Sequence, residues 1–333
     1  MAERISMNGG NGQGRLPVEI LEMHFPALGE SPPPRPRRRP LWPALILFLL
    51  TVVSTLAVGS EFARSYAHNE EPFSGDLNPL AMMLVPLAHP GLLRLGIPFS
   101  FTLLAILFAH EMGHYIACKI YGIDVSYPYF IPAPTLFGTF GAFIRIRSPI
   151  ATRRALFDVG LAGPVVGFLV AFPAMAYAIA ASKIVPGVEG NAAILFGNPP
   201  LMRLLFQLFH PRMNLAWLLL NPVGRAAWVG LFATALNLLP VWQLDGGHIV
   251  YSLANKQHQR ISIIVALGLL MLARYSWWGW YGWGGILLIL SLRFRHPPLV
   301  DRWEALGASR RLWALVALLI FILCFTPWVA SNP

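Results

Sequence analysis

The chain has 333 residues, of which 56 % are hydrophobic and only 12 % charged, about half the charged share of an ordinary soluble domain. That composition excludes a water-soluble globule and points to a polytopic membrane protein. The formal charge of +10 does not argue for nucleic acid, because the arginines gather at the ends of apolar runs, where they face anionic headgroups and set topology.

Residues 1–40 are polar and rich in Gly and Pro, and end in a basic stretch holding Arg35, Arg37, Arg38 and Arg39. They are expected to be a disordered tail. Glu3, Glu19, Glu22 and Glu30 speak against a secretory or transit peptide, so the next run, Leu41–Gly59, is expected to be the first span, with the N-terminus cytosolic. With no organelle-targeting segment visible, a bacterial inner membrane is the expected compartment. The acidic residues Glu61, Glu70, Glu71 and Asp76 follow, then a short apolar stretch, Leu80–Ala88, expected to lie outside on the surface.

Ile97–Tyr121 brings the chain back to the cytosol. Further apolar runs cover Leu156–Ala181, Val223–Pro240, Ile261–Ser276, Trp278–Leu292 and Leu312–Ala330. The expected fold is an all-α polytopic membrane protein of about seven transmembrane helices, one domain over residues 41–333, with the C-terminus outside. Arg145, Arg147, Arg153, Arg154 and the stretches Lys256–Arg260 and Arg293–Arg311 fall on the cytosolic side of that scheme, whereas Arg203, Arg212 and Arg225 do not fit it. Trp277, Trp278, Trp280 and Trp283 are expected to form an interfacial belt. Cys118 and Cys324 lie in apolar runs and imply packing rather than disulfides.

His110-Glu111-Met112-Gly113-His114 is an HExxH pattern. On a helix its two imidazoles share one face and reach one ion, for which zinc is suited, while Glu111 stands beside the metal as a general base. Each ionisable group inside a span costs about 2.5–3.5 kcal/mol on insertion scales, so three in succession call for a compensating cation. A catalytic zinc takes a third protein ligand. Asp245, after Pro240 at the inner end of an apolar run and followed by Gly246 and Gly247, is the candidate; the glycines and proline are expected to break the helix there. A plain Asp-Gly turn is the alternative for that position.

These residues resemble the site-2 protease family of intramembrane zinc metalloproteases, which pairs an HExxH helix with a distant N-x-x-P-x-x-x-L-D-G segment, here Asn237 to Gly246. The resemblance covers about residues 97–251. It implies one zinc ion per chain held by His110, His114 and Asp245, Glu111 as catalytic base, and Asn237 as a polar group near the scissile carbonyl. The implied substrate is a transmembrane protein within the lipid bilayer; oligomeric state stays open. Gly138-Thr139-Phe140-Gly141 is most similar to the EGY-like branch, and the short stretch from Gly122 to Arg154 leaves no room for a PDZ domain.

Within that stretch, glycines precede the alternating Ile144, Arg145, Ile146 and Arg147, which predicts a short strand or hairpin. In the family this region resembles a membrane-associated β element beside the zinc; a cytosolic loop is the other reading. Gly160, Gly163 and Gly167 are expected to serve ordinary helix packing. His248 supports either the metal site or a cytosolic hydrogen bond, and His89, His210, His258 and His296 carry no assigned role. A transporter or metal carrier using the same ligands is the rival function.

Overall fold

The structure is a computed structural model that describes residues 40–72, 84–86, 88–188, 195–297, 299 and 305–331. The expected tail, apart from Pro40, and residues 80–83 and 87 of the expected surface stretch lie outside the described residues.

Each of the seven apolar runs contains a helix. The first is α1 (Trp42–Ala67), and α2 (Ile97–Ile120) is entered through the helical turns Pro90–Leu93 and Arg94–Gly96. A connection then leads to α3 (Arg153–Ala181), started by the Thr152 hydroxyl, which accepts from the Ala155 N–H at 3.2 Å. Among the described residues these three are long and apolar enough to cross a membrane by length and composition. Pro164 and Pro173 sit inside α3 without ending it, as membrane helices tolerate when neighbours take over the freed carbonyls.

The other runs give shorter helices: α5 (Pro222–Asn237), α7 (His258–Ala273), α8 (Gly279–Arg293) and α9 (Ala308–Cys324). Two further helices fall outside the predicted runs. α4 (Pro200–Phe209) buries Leu201, Met202, Leu205 and Phe206 and leaves Leu204 and Leu208 exposed. α6 (Asp245–Ala254) begins at the predicted third ligand.

Close helix approach organises the bundle, as expected where lipid offers no hydrophobic contrast between helices. Residues Gly59 and Gly96 let α1 meet the start of α2 so tightly that a Cβ on Gly96 would lie 2.0 Å from the Leu56 carbonyl oxygen. The Thr55 and Ser100 hydroxyls join the same pair at 2.7 Å. α2 packs in turn on α3 and α5 around a core that includes Phe99, Leu103, Phe157, Met175 and Leu231.

A hairpin is present in the predicted region, but its strands precede the alternating run of residues 144–147, of which only Ile146 pairs, in an isolated bridge. β1 (Tyr129–Pro132) pairs antiparallel with β2 (Thr139–Phe143), in the register Tyr129 to Phe143 and Phe130 to Ala142, with an irregularity before the Pro132 to Thr139 pair. Pairing continues outward through Val125 and Ile146. The turn is fastened to the first helix: Ser54 Oγ donates to the Gly138 carbonyl at 2.6 Å. Gly138 adopts φ +77°, and a Cβ there would meet the Ser54 carbonyl oxygen at 2.7 Å, so glycine is required twice over.

The short strands β3 (Lys183–Ile184) and β5 (Leu218–Leu219) also pair, as do β4 (Leu195–Phe196) and β6 (Ala330–Ser331), and β4 reaches the hairpin turn, where the Phe137 and Phe196 rings are 6.1 Å apart. Here Arg225, which disagreed with the charge rule, is neutralised: its Nη2 donates to Glu71 Oε2 at 2.5 Å with both side chains buried. Removing one member of a buried pair strands the other charge, at a cost of about 3–5 kcal/mol. Arg225→Ala is therefore expected to lower the melting midpoint in detergent markedly, and the double change with Glu71→Ala to lower it less.

The aromatic belt is corrected. Trp280 is fully buried and its indole N–H donates to the Pro327 carbonyl at 2.7 Å, whereas Trp278 is 77 % exposed. Core packing claimed the residue that apolar context alone assigned to the interface.

Candidate metal centre

His110, Glu111 and His114 lie in the second half of α2 and are 5, 6 and 8 % exposed. The helix turns the two histidines toward α3, and α3 makes room for them. A Cβ on Gly163 would fall 2.1 Å from His114 Nε2, and one on Gly167 would fall 3.1 Å from the His110 Cβ. General helix packing was the expectation for these glycines; their specific task is to clear the imidazoles.

The same helix fixes a tautomer. His114 Nδ1 lies 2.7 Å from the Val159 carbonyl oxygen, which can only accept, so Nδ1–H donates and Nε2 keeps its lone pair.

Asp245 arrives from 135 positions beyond His110. α5 ends at Asn237, and the connection passes through Trp242, held at φ 49°. This left-handed conformation costs a bulky residue about 1 kcal/mol or more; the Trp242 N–H is anchored by donation to Ser262 Oγ at 3.1 Å. Gly246 and Gly247 do not break the helix, as expected, but form its first turn. A Cβ on Gly246 would stand 2.1 Å from the Leu238 carbonyl oxygen, so the pair serves to press α6 onto the loop before it.

Three lone-pair atoms converge. His110 Nε2 and His114 Nε2 are 3.1 Å apart, and Asp245 Oδ2 lies 3.2 Å from the first and 3.3 Å from the second. Among the described residues, these three form a group able to hold a metal ion. Ligands at about 2.0–2.1 Å from a tetrahedral zinc stand about 3.3 Å from one another, so the spacing and the N, N, O donor set fit. Asn237 Nδ2 is 3.2 Å from His110 Nε2. Glu111 does not join the ligand set; its carboxylate faces the backbone of Ile144, directly after β2. All five predicted site residues thus lie together, with the hairpin on the glutamate's side.

Comparison with known proteins agrees with this geometry. The pattern of peptidase family M50 matches residues 98–273, more than half of the chain and inclusive of every site residue. The chain belongs to peptidase family M50. This M50 match reaches through α7, beyond the limit near Tyr251 drawn from the motifs. Among curated relatives, "Probable zinc metalloprotease EGY1, chloroplastic" of Arabidopsis thaliana is 30 % identical over 303 residues, covering 85 % of this chain and 52 % of the relative. The protein of the same name from Oryza sativa subsp. japonica is 29 % identical over 302 residues, covering 85 % and 50 %. A rice "Probable zinc metalloprotease EGY2, chloroplastic" is 32 % identical over 192 residues, covering 54 % and 33 %. The EGY-like branch is the one the hairpin sequence indicated. This M50 chain spans about half the length of the EGY1 relatives it matches.

Two contributors escaped sequence reasoning, the Val159 carbonyl and the Ile144 backbone. Neither has a side-chain signature. The glycine clearance did have one: Gly163 and Gly167 stand four residues apart, as His110 and His114 do.

Proposed function

We propose that this chain is an intramembrane zinc metalloendopeptidase that hydrolyses peptide bonds within or beside transmembrane segments of other membrane proteins, as in regulated intramembrane proteolysis. The observation that carries the reading is the convergence of Asp245 with His110 and His114 within about one ligand spacing of each other, the two histidines and the neighbouring Glu111 standing on a membrane-length helix. A zinc ion held there supplies a Lewis acid and a water of lowered pKa.

The chain's own groups supply the rest. Glu111 accepts the proton of the attacking water and returns it to the leaving amine. Asn237 donates from Nδ2 to the carbonyl oxygen as charge builds on it. A substrate helix has its carbonyls hydrogen-bonded and must be opened before attack. The hairpin beside Glu111 offers strand edges on which an opened segment can pair.

The arrangement we propose has seven spans, α1, α2, α3, α5, α7, α8 and α9, with the N-terminus cytosolic in a bacterial inner membrane. Positive charge at the cytosolic ends supports the orientation. The proteolytic core is assigned to about residues 97–251 within a membrane domain of residues 41–333.

The test uses the full chain purified in detergent, with metal analysis and a reporter transmembrane substrate. The expected result is one zinc per chain and cleavage, both lost in Asp245→Ala. Wild-type protein that binds zinc but transports it across vesicles without cleaving any substrate would overturn the protease reading in favour of a carrier.

A further inference from the structure

α6 carries Asp245 on only ten residues, a length at which a helix has little stability of its own. Its two ends are held from outside. At the C-terminal end, Arg153 donates from Nε and Nη2 to the Ser252 carbonyl at 2.8 and 2.5 Å, placing positive charge where the helix carbonyls point. At the N-terminal end stands His248, one turn after Asp245 and on the same face.

His248 Nδ1 lies 2.9 Å from His296 Nε2. His296 belongs to the segment after α8, and its own Nδ1 lies 2.9 Å from the Pro297 carbonyl oxygen. That carbonyl must accept, so Nδ1–H of His296 donates and its Nε2 is left as an acceptor; the proton between the two rings therefore sits on His248 Nδ1. Burial holds His296 below the ordinary imidazole value, which keeps it neutral near pH 7. The His296 ring also lies flat on Tyr251 of α6, with centroids 3.8 Å apart and planes 15° from parallel. His258, at the start of α7, meets it edge-on at 5.5 Å. Two helices, α6 and α7, thus close on one imidazole that sits outside the ligand set.

We infer that His248 and His296 are a positioning pair which orients the first turn of α6 and thereby the Asp245 carboxylate toward the metal, tying ligand geometry to the connection between α8 and α9. The pair acts through Asp245 and touches no substrate. This inference rests on the zinc reading proposed above. Partners that orient metal ligands from behind typically alter metal affinity by about 10–100-fold, and a brace one step further back is assigned the lower end of that range.

The experiment follows zinc release from the full chain in detergent into a chromogenic chelator, with the melting midpoint of the metal-free protein read in parallel. His296→Ala is expected to release zinc about tenfold faster without a matching fall in the metal-free midpoint. His296→Gln, whose side-chain carbonyl still accepts from His248 Nδ1, is expected to restore most of the difference. Wild-type release from His296→Ala, failure of the glutamine to restore, or a loss matched by the metal-free midpoint would each overturn the inference while leaving the zinc reading intact. A wild-type chain that takes up no zinc would sink both.

Discussion

Glu111→Gln is expected to leave zinc content at the wild-type level and to reduce cleavage of a transmembrane substrate by about 10²–10⁴-fold, the usual contribution of a positioned general base. The two halves of that result test different things. Glutamine is isosteric with glutamate and Glu111 is not one of the three donors, so the fold and the ligands His110, His114 and Asp245 remain in place. Its amide cannot take up a proton from water, so only the chemistry is removed. Zinc content by metal analysis and cleavage rates on the same preparation decide the matter. Residual cleavage within a few-fold of wild type would show that another group serves as base.

Gly163→Ala is expected to lose zinc as thoroughly as removal of a ligand does, although the substituted residue binds nothing. The added methyl group would fall 2.1 Å from His114 Nε2, on the atom assigned to the metal. His114 cannot simply rotate away, because its Nδ1–H is committed to the Val159 carbonyl on the same helix that carries the new methyl group. Either α3 moves back from α2 or the imidazole leaves the site, and both separate the three donor atoms. The expected outcome is zinc content below about a tenth of wild type, a loss of at least the size of outer-partner effects, with cleavage falling in proportion. Gly282→Ala is the control: a Cβ there meets nothing within 4 Å, and both readings should stay near wild type.

What the sequence made legible follows a physical division. His110, Glu111, His114 and Asp245 were readable because metal chemistry depends on residue identity and, for the first three, on local spacing. Asn237 was readable only through a family pattern, since a single amide at the end of an apolar run has no chemical signature of its own. The seven apolar runs each yielded a helix, because hydropathy reports burial in lipid or protein regardless of helix partners. That same indifference hid the difference between Trp278 and Trp280, which hydropathy ranks alike and packing separates completely. It also hid α4, a helix of only ten residues whose apolar run is interrupted by Arg203 and Gln207.

The misread glycines show a further limit. Gly246 and Gly247 have the composition of a helix stop, and their real task depends on how near the Leu238 carbonyl lies, a distance that no local pattern encodes. The pairing of His248 with His296 is still less accessible. It joins residues 48 positions apart, and each alone resembles a histidine at a membrane surface.

The fastening of the hairpin turn to α1 gives the first helix a mechanical role. Ser54 grips the turn at Gly138, and Phe48 meets Phe130 edge to face with centroids 5.1 Å apart, so the sheet whose far end reaches Glu111 is hung from α1 as a door is hung from its post. The helix is therefore not an interchangeable anchor. A fusion or truncation that shifts α1 is expected to shift the sheet relative to the glutamate, so the placement of Glu111 depends on the packing of the first helix.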